Sequence, residues 1–310
     1  MEIRVGTSGW SYPAGRGTWN GVFYPPKGRR PRGFSELAYY AERFDTVEIN
    51  SSFYRPPTPD TARHWVEQTP DGFEFSVKLF QKFTHPEMFL KATGEDPHQL
   101  GQADIDEFRA GIAPIAERGR LGALLVQFPP SFKREPNARE YLAWLLEAFR
   151  DYPTAAELRH RSWSDAADDT LALLAPTGTA WVQIDEPKFR FSIRQSFQAN
   201  NPGIFYMRLH GRNAANWWTH KASEDRYDYL YSAEELQPVQ EVVEEAARAT
   251  RKAYVYMNNH FAAKAVVNAA VLKHRLGLPV TGEYPPTLVE RYPEAAGILP
   301  TTALASPKFF

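Results

Sequence analysis

Cysteine is absent from the 310 residues of this chain, so disulfides, thiolate metal sites and a cysteine nucleophile are all excluded. Charge of one sign is not in excess either. With 36 Lys+Arg against 37 Asp+Glu, the formal net charge is -1, which argues against a generally basic, nucleic-acid-coating surface. No apolar run approaches the ~18–20 residues that a membrane helix requires. Met1 leads directly into Ile3, Arg4 and Val5, which read as a strand rather than a signal peptide. The expectation is a soluble, cytoplasmic protein without a membrane partner. Internal repeats and low-complexity tracts are also missing. The glycines of the segment 6–10 (GTSGW) precede a long loop and not a helix, so they do not form a dinucleotide-binding turn. No organic cofactor motif is present.

Short apolar runs bounded by turn residues are, by contrast, frequent. Eight read as strands: residues 3–8, 46–51, 73–79, 123–128, 155–159, 180–185, 204–210 and 253–258. Helix-period stretches separate most of them, at 34–44, 60–68, 105–118, 138–149, 165–174, 233–250 and 263–276. The interval after Asp185 carries no helical pattern. Strands alternating with helices predict a parallel sheet covered by helices, and eight repeats over this length predict a single (β/α)₈ TIM-type barrel over 1–310, irregular around its sixth unit. Three long connections (11–33, 80–100 and 211–232) follow strands, where a barrel places its functional loops. The proline-rich segment 284–310 is expected to cover the surface as a tail.

Polar residues crowd the expected C-terminal strand ends: Glu48, Asn50, Lys78, Gln127, Glu157, Arg159, Asp185, Arg208, His210, Asn258 and His260. Barrel layers are ordinarily filled by Val, Ile and Leu, so a charged ring at one end marks a binding mouth. Glu48 and Glu157 are the acid and base pair expected of proton-transfer chemistry, with His210 assisting. Lys78 is a catalytic amine or an anion anchor. Arg159 and Arg208 suit a carboxylate or phosphate. Asn50, Gln127, Asp185, Asn258 and His260 would contact substrate, and the glycine turn at 211–213 would let backbone approach it. Trp10, Tyr54 and the neighbouring aromatics at 19, 23–24, 53, 163 and 217–218 would stack a sugar ring or base. A divalent metal held by Glu48, Asp185, His210 and His260 is the weaker alternative, because no compact ligand spacing exists. The basic run 27–32 (KGRRPR) reads as a solvated face, or as a patch steering a phosphate-bearing partner such as nucleic acid.

These same residues lie in stretches that resemble the YecE-like family, also called domain of unknown function 72. They are 6–12 (GTSGWSY), 21–25 (GVFYP), 46–56 (TVEINSSFYRP), 75–78 (FSVK) with 84–85 (TH), 125–130 (LVQFPP), 157–163 (ELRHRSW), 208–212 (RLHGR) and 255–260 (VYMNNH). The resemblance covers nearly the whole chain and implies a (β/α)₈-type barrel, without supplying an established reaction. One departure is visible: a glycine is expected shortly after His260, and this chain has Phe261, Ala262 and Ala263. Three functions follow as expectations. The first is an enzyme using acid–base chemistry on a small polar, carbohydrate-like or phosphorylated substrate. The others are a metal-assisted phosphodiester hydrolase acting on nucleic acid, and a non-catalytic barrel that binds a small polar or anionic ligand.

Overall fold

The computed structural model describes residues 1–96, 100–219 and 222–301. Nine strands run parallel: β1 (Glu2–Thr7), β2 (Thr46–Ile49), β3 (Glu74–Lys78), β4 (Leu121–Gln127), β5 (Thr154–Glu157), β6 (Ala180–Trp181), β7 (Gln183–Asp185), β8 (Ile204–Leu209) and β9 (Lys252–Met257). They form two sheets, ordered β1-β9-β8-β7 and β2-β3-β4-β5-β6. The sheets join at both ends. The run 180–185 belongs to both: β6 pairs with β5 and β7 with β8, around Val182. At the other seam Ser8 bridges Glu48, and the Gly9 amide donates to the Glu48 carbonyl at 2.8 Å. The eight expected strands thus trace a barrel-like ring, the sixth of them broken into β6 and β7.

The helices begin where the sequence supplies caps. Ser35 accepts from the Ala38 amide ahead of the helix Glu36–Ala41, Thr58 does the same before Pro59–Glu67, and Ser232 with Glu235 forms a capping box before Ala233–Ala249. Between Asp185 and β8 there is no helix. Instead the Gln195 side chain bonds the Ile184 amide and the Val182 carbonyl, satisfying the backbone of the broken strand. The connection after β3 holds two short helices that periodicity did not reveal, Gln81–Thr84 and Pro86–Thr93. The C-terminal segment is anchored up to Thr301: Tyr284, Leu288 and Ala295 are buried, and the Tyr292 hydroxyl donates to the Ala262 carbonyl at 2.7 Å. The remainder of the expected tail, 302–310, lies outside the described residues.

Strand alternation divides the side chains. Val47, Ile49, Phe75, Val77, Phe205, Met207, Leu209, Val255 and Met257 join the buried apolar cluster with the helices. The opposite face turns into the ring, and there the expected aliphatic filling is replaced by a hydrogen-bonded polar column. Bonds between strands that are not sheet neighbours establish this. At the lower end the Tyr254 hydroxyl of β9 donates to Glu74 of β3 at 2.5 Å, and Arg4 of β1 pairs with the same carboxylate. Above it the Tyr256 hydroxyl meets Thr46 at 2.7 Å and Ser76 at 2.9 Å. Higher still, Tyr206 of β8 donates to Glu48 of β2 at 2.8 Å. The large rings need room: a Cβ on Gly122 would lie 3.0 Å from the Tyr254 ring.

Candidate functional site

Arg208 caps the polar column. It stands on β8, two residues beyond Tyr206, and therefore shares its inward face. Its Nε and Nη2 bond the two oxygens of Glu48 at 2.9 and 2.7 Å, while Nη1 reaches Glu157 at 2.5 Å and Gln127 at 3.2 Å. Glu48 and Glu157 have no exposed surface. Both carboxylates therefore converge with Arg208, as sequence spacing implied, but beneath the mouth and committed to a guanidinium. Burial alone would raise the Glu157 carboxyl, yet Arg208, His210 and Arg159 hold it well below the usual carboxylate range.

Above this layer, at the C-terminal strand ends, opens a cleft of about 620 Å³, with a deeper chamber of about 220 Å³. Lys78, Gln127, Arg159, Tyr54 and His260 border both, and Asn50, Arg208, His210 and Asn258 line the chamber. Lys78 is the last residue of β3. The Ser52 hydroxyl donates to its carbonyl at 2.6 Å, and its Nζ lies 3.9 Å from the centre of the Phe53 ring. Among the described residues no ion pair engages it: Glu48 and Glu157 face Arg208, and Glu186 faces Arg159. Burial, reinforced by the charge of Arg208, lowers the Lys78 ammonium to about 7 against the opposing pull of Glu157 and Glu48.

The histidines here are held neutral. Burial takes His260 down to about 3, and burial with Lys78 and Arg159 does the same to His85. His210 is lowered by burial as well, although Glu157 pulls the other way. Its Nδ1 meets the Asn258 amide at 2.7 Å and its Nε2 faces Glu157 Oε1 at 3.6 Å. His260 stacks on Tyr12 with centroids 4.2 Å apart, and Tyr227 covers its other side at 4.8 Å.

Some expected contributors stand elsewhere. Asp185 points out of the ring, where Arg212 grips it at 2.7 Å and the Tyr231 hydroxyl donates to it at 2.7 Å. Plain alternation accounts for this: Ala180 sits beside inward-facing Ala155 and Ile184 beside Arg208, so Asp185, beside Leu209, falls on the outer face. The grouping of Glu48, Asp185, His210 and His260 as metal ligands is corrected by the same facts, since Glu48 and Asp185 are held by different arginines; no such cluster occurs among the described residues. Trp10 packs edge-on against Trp65 at 5.8 Å rather than on the cleft. Gly211 does adopt a positive φ of 88°, but protein fills its open side, a Cβ there meeting Tyr229 at 2.7 Å. Of the loop aromatics, Trp19, Phe23, Tyr24 and Trp163 are buried in packing, whereas Phe53, Tyr54, Trp217 and Trp218 border the cleft. Within the basic run, Arg30 turns inward to Glu36 at 2.8 Å.

Tyr12, His85 and Tyr227 line the cleft without having been singled out as site residues. Tyr12 and His85 lay within the quoted family-like stretches, which was a usable signal. Tyr227 lies in the loop after β8, where nothing in the pattern marked it. The turn after His260 resolves the missing glycine: Ala262 and Ala263 both occupy the left-handed region, at φ 50° and 66°.

Comparison with known proteins accords with this architecture. The UPF0759 protein YunF of Bacillus subtilis (strain 168) is 28% identical over 290 residues, covering 91% of this chain and 98% of its own length. The UPF0759 protein YecE of Escherichia coli (strain K12) is 28% identical over 130 residues, 42% of this chain and 39% of its own. A crystal structure of a DUF72 family protein from Thermotoga maritima MSB8 shares 34% identity and superimposes with a TM-score of 0.73, covering 89% of this chain and 100% of that one. Another, from Enterococcus faecalis V583, shares 25% identity with a TM-score of 0.76, covering 91% and 99%. The family model described as "Protein of unknown function DUF72" matches residues 4–290, and the chain belongs to that family.

Proposed function

We propose that the protein is an enzyme that moves a proton on a small polyhydroxylated, carbohydrate-like substrate held in the chamber at the barrel mouth. The observation that carries this reading is the Lys78 amine, half-buried at the cleft yet lacking a carboxylate partner. A base poised near neutral pH both accepts and returns a proton efficiently. Among the described pocket residues, His85 and His260 are too acidic as imidazoliums for that task, and Glu157, beneath the pocket, is locked in its ionised form. This reading moves the proton-transfer role from Glu48 and Glu157, which do not border the cavity, to Lys78. Amide and guanidinium groups of Asn50, Gln127, Asn258 and Arg159 supply donors and acceptors for hydroxyls, and Tyr54, Trp217 and Tyr227 supply ring faces. The carbohydrate-like substrate is favoured over the phosphorylated one because Arg208 and Arg159 already hold carboxylates.

The test is solvent exchange. The protein is incubated with a panel of aldoses and ketoses in D₂O, and loss of the C–H signal beside the carbonyl is followed by proton NMR. Exchange with at least one sugar is expected, falling by about 100-fold or more in Lys78→Met, the range attributed to a general base. Absence of exchange across the panel would sink the reading.

A further inference from the structure

We infer that Lys78 acts as a nucleophile, and that the substrate is an aldehyde or ketone which it captures as an imine. This inference rests on the reading of the chamber as an active site and narrows it to carbonyl compounds.

The geometry separates Lys78 from an ordinary anchoring lysine. An anchoring ammonium in a layer that already contains Glu48, Glu157 and Glu186 would be expected beside one of them, because a buried charge is costly unless paired. All three instead face arginines. Lys78 Nζ is left against the face of Phe53, which fixes its position without providing a counter-charge. Its backbone is fixed as well: Lys78 pairs with Leu125 at the end of β3, and Ser52 ties down its carbonyl. The amine thus combines three conditions that imine formation demands. It is available without a proton near neutral pH, it is held against the Phe53 ring, and it borders a chamber of about 220 Å³ that a small carbonyl compound can enter.

The step balances within the chamber. The Nζ lone pair forms a bond to the carbonyl carbon while the C=O π bond breaks, and an amine proton passes to the resulting oxygen to give a carbinolamine. Expulsion of that oxygen as water, with a second proton drawn from solvent, leaves a protonated C=N bond. Gln127 and Arg159 border the same chamber and offer N–H donors to the oxygen as charge develops on it. The protonated imine then acidifies the adjacent C–H, whose proton passes to water in the chamber and returns to the same carbon from solvent, which is the exchange followed in the proposed reaction. Addition of water in the reverse sequence returns the free amine.

The decisive experiment is reductive trapping of the full chain. Wild-type protein is incubated with dihydroxyacetone or D-fructose and sodium cyanoborohydride at about pH 7, where a lowered amine is partly neutral and ordinary lysines are not. Hydride adds to the imine carbon and leaves a stable secondary amine. Peptide mapping by mass spectrometry should locate one dominant adduct on Lys78, forming about 10-fold or more faster than on any other lysine. Because the wild-type chain is mapped directly, the result does not depend on a variant folding; Lys78→Arg, with circular dichroism to verify the fold, should lose the adduct. Labelling spread evenly over surface lysines overturns the inference. Solvent exchange that persists without a trapped adduct also overturns it, while leaving Lys78 as a simple base. Neither exchange nor adduct removes both proposals.

Discussion

The guanidinium of Arg208 is joined to two carboxylates and an amide, with its side chain almost wholly buried. Removing one partner from such a group leaves charge uncompensated in a poorly solvated place. Glu48→Gln is therefore expected to destabilise the fold by about 3–5 kcal/mol, read as a lower urea midpoint. An unchanged midpoint together with lost activity would instead put Glu48 in the chemistry. This is also where sequence reading met its limit at the scale of single residues. Alternation along a strand tells which side chains share a face, and it correctly brought Glu48, Glu157, Arg208 and His210 together. It does not tell which of them lies above another, so two carboxylates that read as an acid–base pair turn out to sit under the cavity. Lys78 was identifiable as the single lysine of the set, but its lack of a counter-ion emerges only from the three pairings around it.

Among elements, the turn from β9 into the helix Lys264–Arg275 carries visible strain. Ala262 and Ala263 both take positive φ, a conformation that costs an L-residue roughly 1–2 kcal/mol. Ala263→Gly should relieve part of this, net of the greater freedom of glycine in the unfolded chain, and raise stability by about 0.5–1 kcal/mol in chemical denaturation. A loss of stability would show that the surrounding packing, including the Gly17 carbonyl that accepts from Ala262, prefers alanine as it stands. The strands and longer helices were readable because apolar runs and 3.6-residue periodicity persist over enough residues to be distinguished. Gln81–Thr84 and Pro86–Thr93 are too short for that signal. The break at Val182 was invisible because it leaves the apolar pattern of the run 180–185 unchanged, and Asp185 lies on the outer face by the same alternation that sets Ile184 beside Arg208.

For the molecule as a whole, Lys78 sets a pH dependence with a definite sign. Its folded value of about 7 lies below its ordinary 10.5, so between these the unfolded chain binds more protons than the folded one. Stability gained at this site therefore rises with pH across that window, and the full cost of burying the charge is borne below it. Lys78→Met removes the dependence. The variant should melt above wild type at about pH 6, with the gap narrowing towards about pH 10. Parallel curves from differential scanning calorimetry would show that Lys78 is not desolvated. The exchange test and this test are independent, one reading chemistry and the other the energetic state of the same amine.

The polar column has an implication for how the barrel is assembled. Its groups are contributed by β1 to β5, β8 and β9, so the early strands alone cannot satisfy it. A nascent chain that ends before residue 204 contains Glu48, Glu74 and Glu157 but neither Arg208 nor the three interior tyrosines of β8 and β9. Closing a ring at that stage would trap Glu48 and Glu157 in a dry interior without Arg208, and Glu74 without its tyrosine hydroxyl. The first seven strands must then wait open and hydrated until the last two arrive, and circularisation of the ring becomes a late event in its biogenesis.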